Sequence, residues 1–393
     1  MNDDIAEQLL TKLLEEIQLP ESAYETAIKR YTNIGQWYHR PESACAHYGP
    51  EIFSQGSFRL GTANNGQQYD LDLGCKLSIG LKKSSLSQKD LKKIVGEELE
   101  SYRVAHGVKE ELDEKRRCWR LIYADGFTFH IDVVPCIPED DEGKLVLKSR
   151  MVERSNLEEE LAGSVSDLAV FITDNQNPQY YEISSNWLIS NPQGYAQWFE
   201  SRMRLGGSFL EKRAADIGAS IEHVPVFRWK TPLQGTIQLL KHHRDVMFEN
   251  DPDSQPISVI ITTLAARAYN GESDLASAIT NILNKIENLV SPATPRVPNP
   301  VNPAEDFADK WGLHDHAHLN LEANFRRWAM QARSDFAAIC NHENAERVLE
   351  AAQNGLNTKL DKSHVERMLG HSPAVVSGAT TTIKKSDPKP WRK

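Results

Sequence analysis

A chain of 393 residues with 40% hydrophobic content can bury more core than one ordinary domain, and its 55 acidic against 45 basic residues leave a net charge of −10. That balance weighs against the broadly basic face that long nucleic acid requires, leaves room for local basic patches, and favours small nucleotide substrates. No apolar run approaches the ~20 residues of a membrane helix, and Met1-Asn2-Asp3-Asp4 lacks a signal-peptide core. Five cysteines form no C-x-x-C pair and no zinc spacing, which predicts a reduced, cytoplasmic protein.

In chain order, Ile5, Leu9, Leu10, Leu13, Leu14 and Ile17 recur at helical spacing, and Pro20 breaks the pattern within a helical region reaching about residue 39. The stretch from 48 to about 136 holds short strand-like runs, with a helix predicted between Ser87 and Tyr102. Residues 139 to about 225 are charged and irregular, with Asn-Pro turns at 177–178 and 191–192, and 228–288 read as a series of helices. Five prolines between Pro292 and Pro303 predict a stiff connector. A helix-rich segment then runs to about residue 370, and the polar end from Gly378 to Lys393 is expected to be disordered. No internal repeat interrupts this order.

The chemistry concentrates in the second region. In Tyr69-Asp70-Leu71-Asp72-Leu73 a period of two puts both carboxylates on one face and the leucines on the other. In Phe127-Thr128-Phe129-His130-Ile131-Asp132-Val133-Val134 the same alternation places Asp132 on the polar face beside His130. Three carboxylates converging from neighbouring strands repel one another unless cations neutralise them. Such a cluster suits two Mg²⁺ ions (or Mn²⁺) about 3.5–4 Å apart, the clamp used in phosphoryl transfer. Upstream, Gln55-Gly56-Ser57 follows the apolar Ile52-Phe53 and offers a glycine, a hydroxyl and helix-start amides to a triphosphate.

The ordered set of Gln55-Gly56-Ser57-Phe58-Arg59-Leu60-Gly61-Thr62, Tyr69 to Leu73 and His130-Ile131-Asp132-Val133-Val134-Pro135 resembles the DNA polymerase β-type nucleotidyltransferases. More narrowly it is similar to the bacterial cGAS/DncV-like nucleotidyltransferases (CD-NTases). That match extends through Phe227-Arg228-Trp229-Lys230-Thr231-Pro232-Leu233-Gln234, Ile237 to Asp245, Ile257 to Leu264 and Asn302-Pro303-Ala304-Glu305-Asp306-Phe307. The resemblance implies an α+β, bilobed fold: a small mixed catalytic sheet flanked by helices, and a helical second lobe. The expected divisions are a catalytic core over 1–150, a second lobe over 151–370 and a tail over 371–393.

The resemblance further implies a synthase that joins ribonucleoside triphosphates into a cyclic di- or trinucleotide, releasing pyrophosphate, as an anti-phage signal sensed by an effector protein. Asp70, Asp72 and Asp132 would hold the metal ions, and Gln55, Gly56 and Ser57 the phosphates. Lys241 and Ser258 match family positions that contact nucleotide phosphates, although Gln238, Lys241 and Arg244 at helical spacing also read as an ordinary exposed face. Arg120 matches a position that faces the acceptor nucleotide. His314, His316 and His318 read as a surface run rather than a metal site, because their spacing does not share one helix face. Arg116-Arg117 and Arg326-Arg327 are local basic patches or plain solvated groups. The closing Pro390-Trp391-Arg392-Lys393 departs from the small terminal residue of relatives regulated through that end. Transfer to RNA, a small molecule or a protein remains an alternative, as does a non-catalytic nucleotide sensor.

Overall fold

Leu71 and Leu73 are fully buried on one side of the strand that carries Asp70 and Asp72 on the other, so the alternation in the sequence becomes the wall of a core. The computed structural model describes residues 2–124, 126–206, 221–222, 230–341 and 344–369. The tail at 371–393 and the Phe227-to-Trp229 start of one motif lie outside these residues.

Strands β1 (Pro50–Gln55), β2 (Gln68–Leu77), β3 (Asp113–Glu114), β4 (Trp119–Tyr123) and β5 (Thr128–Pro138) form one sheet in the order β1-β2-β5-β4-β3. Only β2 and β5 run parallel; the other pairs are antiparallel. The sheet is therefore mixed. Two short strands, β6 (Val170–Ile172) and β7 (Leu188–Ser190), extend it from the far end of β5. The register sets Asp72 opposite Asp132 and Asp70 opposite His130 across β2 and β5. At the centre of the sheet Gly74 leaves room for the Phe53 ring, which a Cβ would meet at 2.0 Å.

Helix α1 (Asn2–Ile17) and helix α2 (Glu21–His39) meet at Pro20, where the sequence breaks. They serve different cores. Ala23, Ala27, Tyr31 and Ile34 of α2 pack on the sheet together with α4 (Gln88–Ala105), whose start is fixed by a capping box between Ser87 and Asp90. Leu9, Leu10, Leu13 and Leu14 of α1 instead join the core of the second lobe. That lobe is built from α7 (Pro192–Met203), α8 (Pro232–Met247), α9 (Ser258–Ala268), α10 (Leu275–Lys285), α11 (Leu321–Asn341) and α12 (Ala345–Leu356) around the buried Trp328. Glu7 of α1 accepts from the amides of Leu275 and Ala276 at 2.7 and 3.0 Å, capping α10 from a distant part of the chain.

Two stretches differ from the sequence expectation. The segment read as irregular carries α5 (Asp141–Ser155), α6 (Glu159–Ser166), β6, β7 and α7. Helix α5 buries only Leu147 and Met151 among its described core positions, so its apolar stripe is too sparse to give a clear period. The proline-rich stretch is also no plain connector: it forms a hairpin of β8 (Pro298–Asn299) and β9 (Asn302–Asp306). Prolines fit there because the pair has two free edges. Among the described residues no helix is long and apolar enough to cross a membrane.

Candidate active site

The chain leaves β1 at Gln55 and turns into the short helix α3 (Gly56–Leu60) through Gly56, whose φ of +66° is left-handed. A Cβ at Gly56 would lie 2.2 Å from Oδ2 of Asp72. The glycine is thus required twice, by its backbone angle and by the carboxylate against it. Gln55, Gly56 and Ser57 line one side of a cleft of about 850 Å³, together with Asp70 and Asp72. Lys241, Ser258, Tyr195, Asn299, Glu305 and Phe307 close it from the second lobe.

Asp70 is open to solvent, with 67% of its side chain exposed, and its Oδ1 lies 3.4 Å from Nδ1 of the half-buried His130. Asp72 is more enclosed. Burial, and then the charges of Asp132 and Asp70, push its carboxyl up to about 7, while Arg120 and Lys241 pull in the opposite direction. Asp132 is held by a two-point ion pair, with Nε and Nη2 of Arg120 donating at 2.7 and 2.8 Å. The cause is register: Arg120 of β4 sits directly across from Asp132 of β5. Both oxygens of Asp132 are engaged in this way, and among the described residues no three carboxylate, histidine or cysteine side chains stand as a ready metal-ligand set.

The donor chemistry nonetheless fits a hard divalent cation. Asp70 and Asp72 present oxygens to the same cleft, and the repulsion that raises Asp72 is what a cation relieves. Asp132 would join them once its pair with Arg120 opens.

Helix α8 brings the second-lobe residues to the same place. Thr231 and Gln234 form its capping box, with Pro232 in the first turn. The face bearing Gln234, Gln238 and Lys241 is turned inward, not to solvent. Their side chains donate to the carbonyls of Leu60, Ala63 and Thr62 at 2.8, 2.7 and 2.9 Å. These bonds lock α8 onto the loop that follows α3. Burial, reinforced by Arg244, lowers the Lys241 ammonium to about 8. Ser258 opens α9, and its hydroxyl accepts from Nη1 of Arg244 at 3.2 Å. His314, His316 and His318 fall on a short 3-10 turn, with His314 and His318 exposed.

Behind the Gln55-Gly56-Ser57 turn, the buried Arg59 bridges Glu200 at 2.6 Å and Glu222 at 3.4 Å. Tyr31 donates to the carbonyls of Ile52 and Glu222, tying the same corner to the sheet. Arg59→Ala is expected to lower stability by about 3–5 kcal/mol, because it strands two carboxylates in a low-dielectric corner. Urea unfolding of the variant measures this.

The stretch from Pro50 to Pro135 carries this geometry, and residues 50–135 match the family model described as the nucleotidyltransferase domain of cyclic GMP-AMP synthase DncV-like proteins. A c-di-GMP synthase of Roseivirga ehrenbergii is 29% identical over 312 residues, covering 78% of this chain and 73% of that one. The chain is similar to the DncV-like nucleotidyltransferases. The cyclic dinucleotide synthase CdnG of Bradyrhizobium diazoefficiens is 24% identical over 426 aligned positions, covering 96% of this chain and 92% of CdnG. The structure of CdnG in complex with GTP superposes on this chain with a TM-score of 0.61 at 20% identity, over 93% of this chain and 97% of that one. The two share a fold across both lobes.

Sequence reasoning gave no role to Asn299, Glu305 or Phe307, which line the cleft. Asn299 falls inside the Pro292–Pro303 stretch read as a connector, and Glu305 and Phe307 lie just past it in a motif that carried only the family resemblance. The Arg120–Asp132 pair was also missed. Its signal is the twelve-residue spacing of two strand-like runs close together in sequence.

Proposed function

We propose that this nucleotidyltransferase is a cyclic dinucleotide synthase, joining two ribonucleoside triphosphates in successive transfers that each release pyrophosphate. The observation that carries the reading is one cleft faced by Asp70, Asp72, Gly56 and Ser57 from the sheet and by Lys241 and Ser258 from the second lobe. The names of the relatives, a c-di-GMP synthase and CdnG, support a dinucleotide product and make GTP the first substrate to test.

Gly56 lets the backbone approach the donor triphosphate, and the Ser57 hydroxyl donates to a terminal phosphate oxygen. Lys241, its charge weakened by burial, regains full protonation beside that polyanion and holds it from the other lobe. Asp70, Asp72 and Asp132 would hold divalent cations, Mg²⁺ in the first place, which neutralise charge on the transferring phosphate and the departing pyrophosphate. Asp132 faces the acceptor's ribose hydroxyl, and Arg120 governs when its oxygens are free. The linear intermediate then turns within the cleft for the closing transfer. Family resemblance extends the proposal to anti-phage signalling through a product-sensing effector protein.

The test is a product assay. Purified protein is incubated with Mg²⁺ and four labelled ribonucleoside triphosphates, treated with phosphatase, and resolved by chromatography and mass. Phosphatase-resistant cyclic product, absent from the Asp70→Ala, Asp72→Ala double variant, is the expected result. Tight nucleotide binding without such product would redirect the search to another acceptor, RNA first.

A further inference from the structure

The second-lobe wall of the cleft contains an unpaired acidic group that the transfer chemistry does not use. Glu305 lies on β9, half-buried, and lines the cleft beside Phe307. Its Oε2 accepts from Nδ2 of Asn299 at 2.7 Å. Among the described residues no donor reaches Oε1 and no cation comes within ion-pair distance, although the charge of Arg117 acts on the carboxylate from farther away. The other charged groups of this wall are occupied: Arg244 pairs with Asp245 at 2.7 Å, and Lys241 bonds the Thr62 carbonyl. Burial raises the Glu305 carboxyl above its usual range, countered by the bond from Asn299.

Asn299 is itself fixed. It is buried, and its Oδ1 accepts from the amide of Val301 at 3.0 Å inside the hairpin. Its amide hydrogens therefore point at Glu305, and the carboxylate is held in one orientation. Beside it Phe307 and Tyr195 form an edge-to-face pair with centroids 6.1 Å apart, and the Tyr195 hydroxyl is tied to Thr263 at 2.8 Å. The wall thus combines a rigid aromatic surface, on which a base can stack, with a carboxylate short of donors.

We infer that Glu305, oriented by Asn299, reads the Watson–Crick edge of a guanine base in this cleft and makes the enzyme prefer GTP to ATP. The inference deepens the proposed nucleotidyl transfer and rests on it. Guanine is the only common base that presents two adjacent donors, N1–H and the N2 amino group, and a carboxylate accepts from both. Adenine offers a donor at N6 but an acceptor at N1, so one carboxylate oxygen would face a lone pair. Uracil flanks its single N–H with two carbonyls, and cytosine repeats the adenine pattern. A carboxylate here selects by repulsion as well as attraction.

Equilibrium binding of the α,β-methylene analogues of GTP, ITP and ATP, with Mg²⁺, tests this without turnover. The wild-type protein is expected to bind the GTP analogue at least ~10-fold more tightly than the ATP analogue. The ITP analogue, which lacks the N2 amino group, should fall between them. Glu305→Gln should lose ~10-fold or more for the GTP analogue and hold or gain for ATP, because an amide matches the donor and acceptor of adenine. Asn299→Ala should narrow the preference less, as a positioning residue would. A folded Glu305→Gln protein with an unchanged GTP-to-ATP ratio would overturn the inference. If that variant fails to fold, equal wild-type affinity for the GTP and ITP analogues overturns it instead. Wild-type protein that binds both purine analogues equally removes the guanine assignment alone, whereas binding of none removes the proposed function beneath it.

Discussion

Asp72→Asn is expected to cut nucleotidyl transfer by more than about 10²-fold while making the metal-free protein harder to unfold at mildly alkaline pH. The two effects share one cause. Asp72 is pushed up to about 7 by burial and by Asp132 and Asp70, so the folded protein binds its proton more tightly than the unfolded chain does. Stability from this group is fully present below the ordinary aspartate range and is lost as pH rises through about 7. Asparagine keeps the shape and removes the charge, and with it that loss. Thermal unfolding without divalent cations should show a midpoint a few degrees higher in the variant at alkaline pH and little difference at acidic pH. Adding Mg²⁺ should raise the wild-type midpoint more than that of the variant. A variant that melts earlier than wild type at every pH would contradict the electrostatic account.

Gly56→Ala should cost both stability and turnover. The left-handed backbone at φ +66° penalises any Cβ by about 1–2 kcal/mol. The Cβ also meets Oδ2 of Asp72 at 2.2 Å, so the carboxylate must swing away from the cleft. Activity should fall by more than about 10²-fold, because small displacements of reacting groups cost that much. Gly80→Ala separates the two contributions. Gly80 has φ +76° with nothing within 4 Å of a Cβ, so it shares the strain and leaves the catalytic face untouched. Denaturation curves should shift by the shared backbone strain in both variants and further in Gly56→Ala, and only Gly56→Ala should lose the reaction.

The catalytic sheet was legible because its signal is local. Leu71, Leu73, Phe129 and Ile131 alternate with polar residues, and each strand declares which face is buried. The glycine before Ser57 announces its turn in the same direct way. The second lobe was less legible because its meaning depends on what packs against it. Gln238 and Lys241 have the spacing of an exposed polar face, yet the backbone carbonyls of Ala63 and Thr62 turn them inward. Nothing in the local sequence reveals that such acceptors are waiting. The hairpin bearing Asn299 and Glu305 was hidden by prolines, which carry the same local preference in a linker and in a two-stranded ribbon.

The packing of α1 changes how the chain can be divided. Leu14 presses on Gly235 of α8, where a Cβ would come within 2.9 Å of its methyl, and Glu7 closes the start of α10. Helix α1 leaves the ribosome before the sheet does, but its partners α8 and α10 emerge only after it. The helical lobe is therefore a clasp whose two halves lie on either side of the sheet in the chain. A fragment beginning after the sheet would lack one wall of its own core, and removing α1 should loosen the half of the molecule farthest from it in sequence.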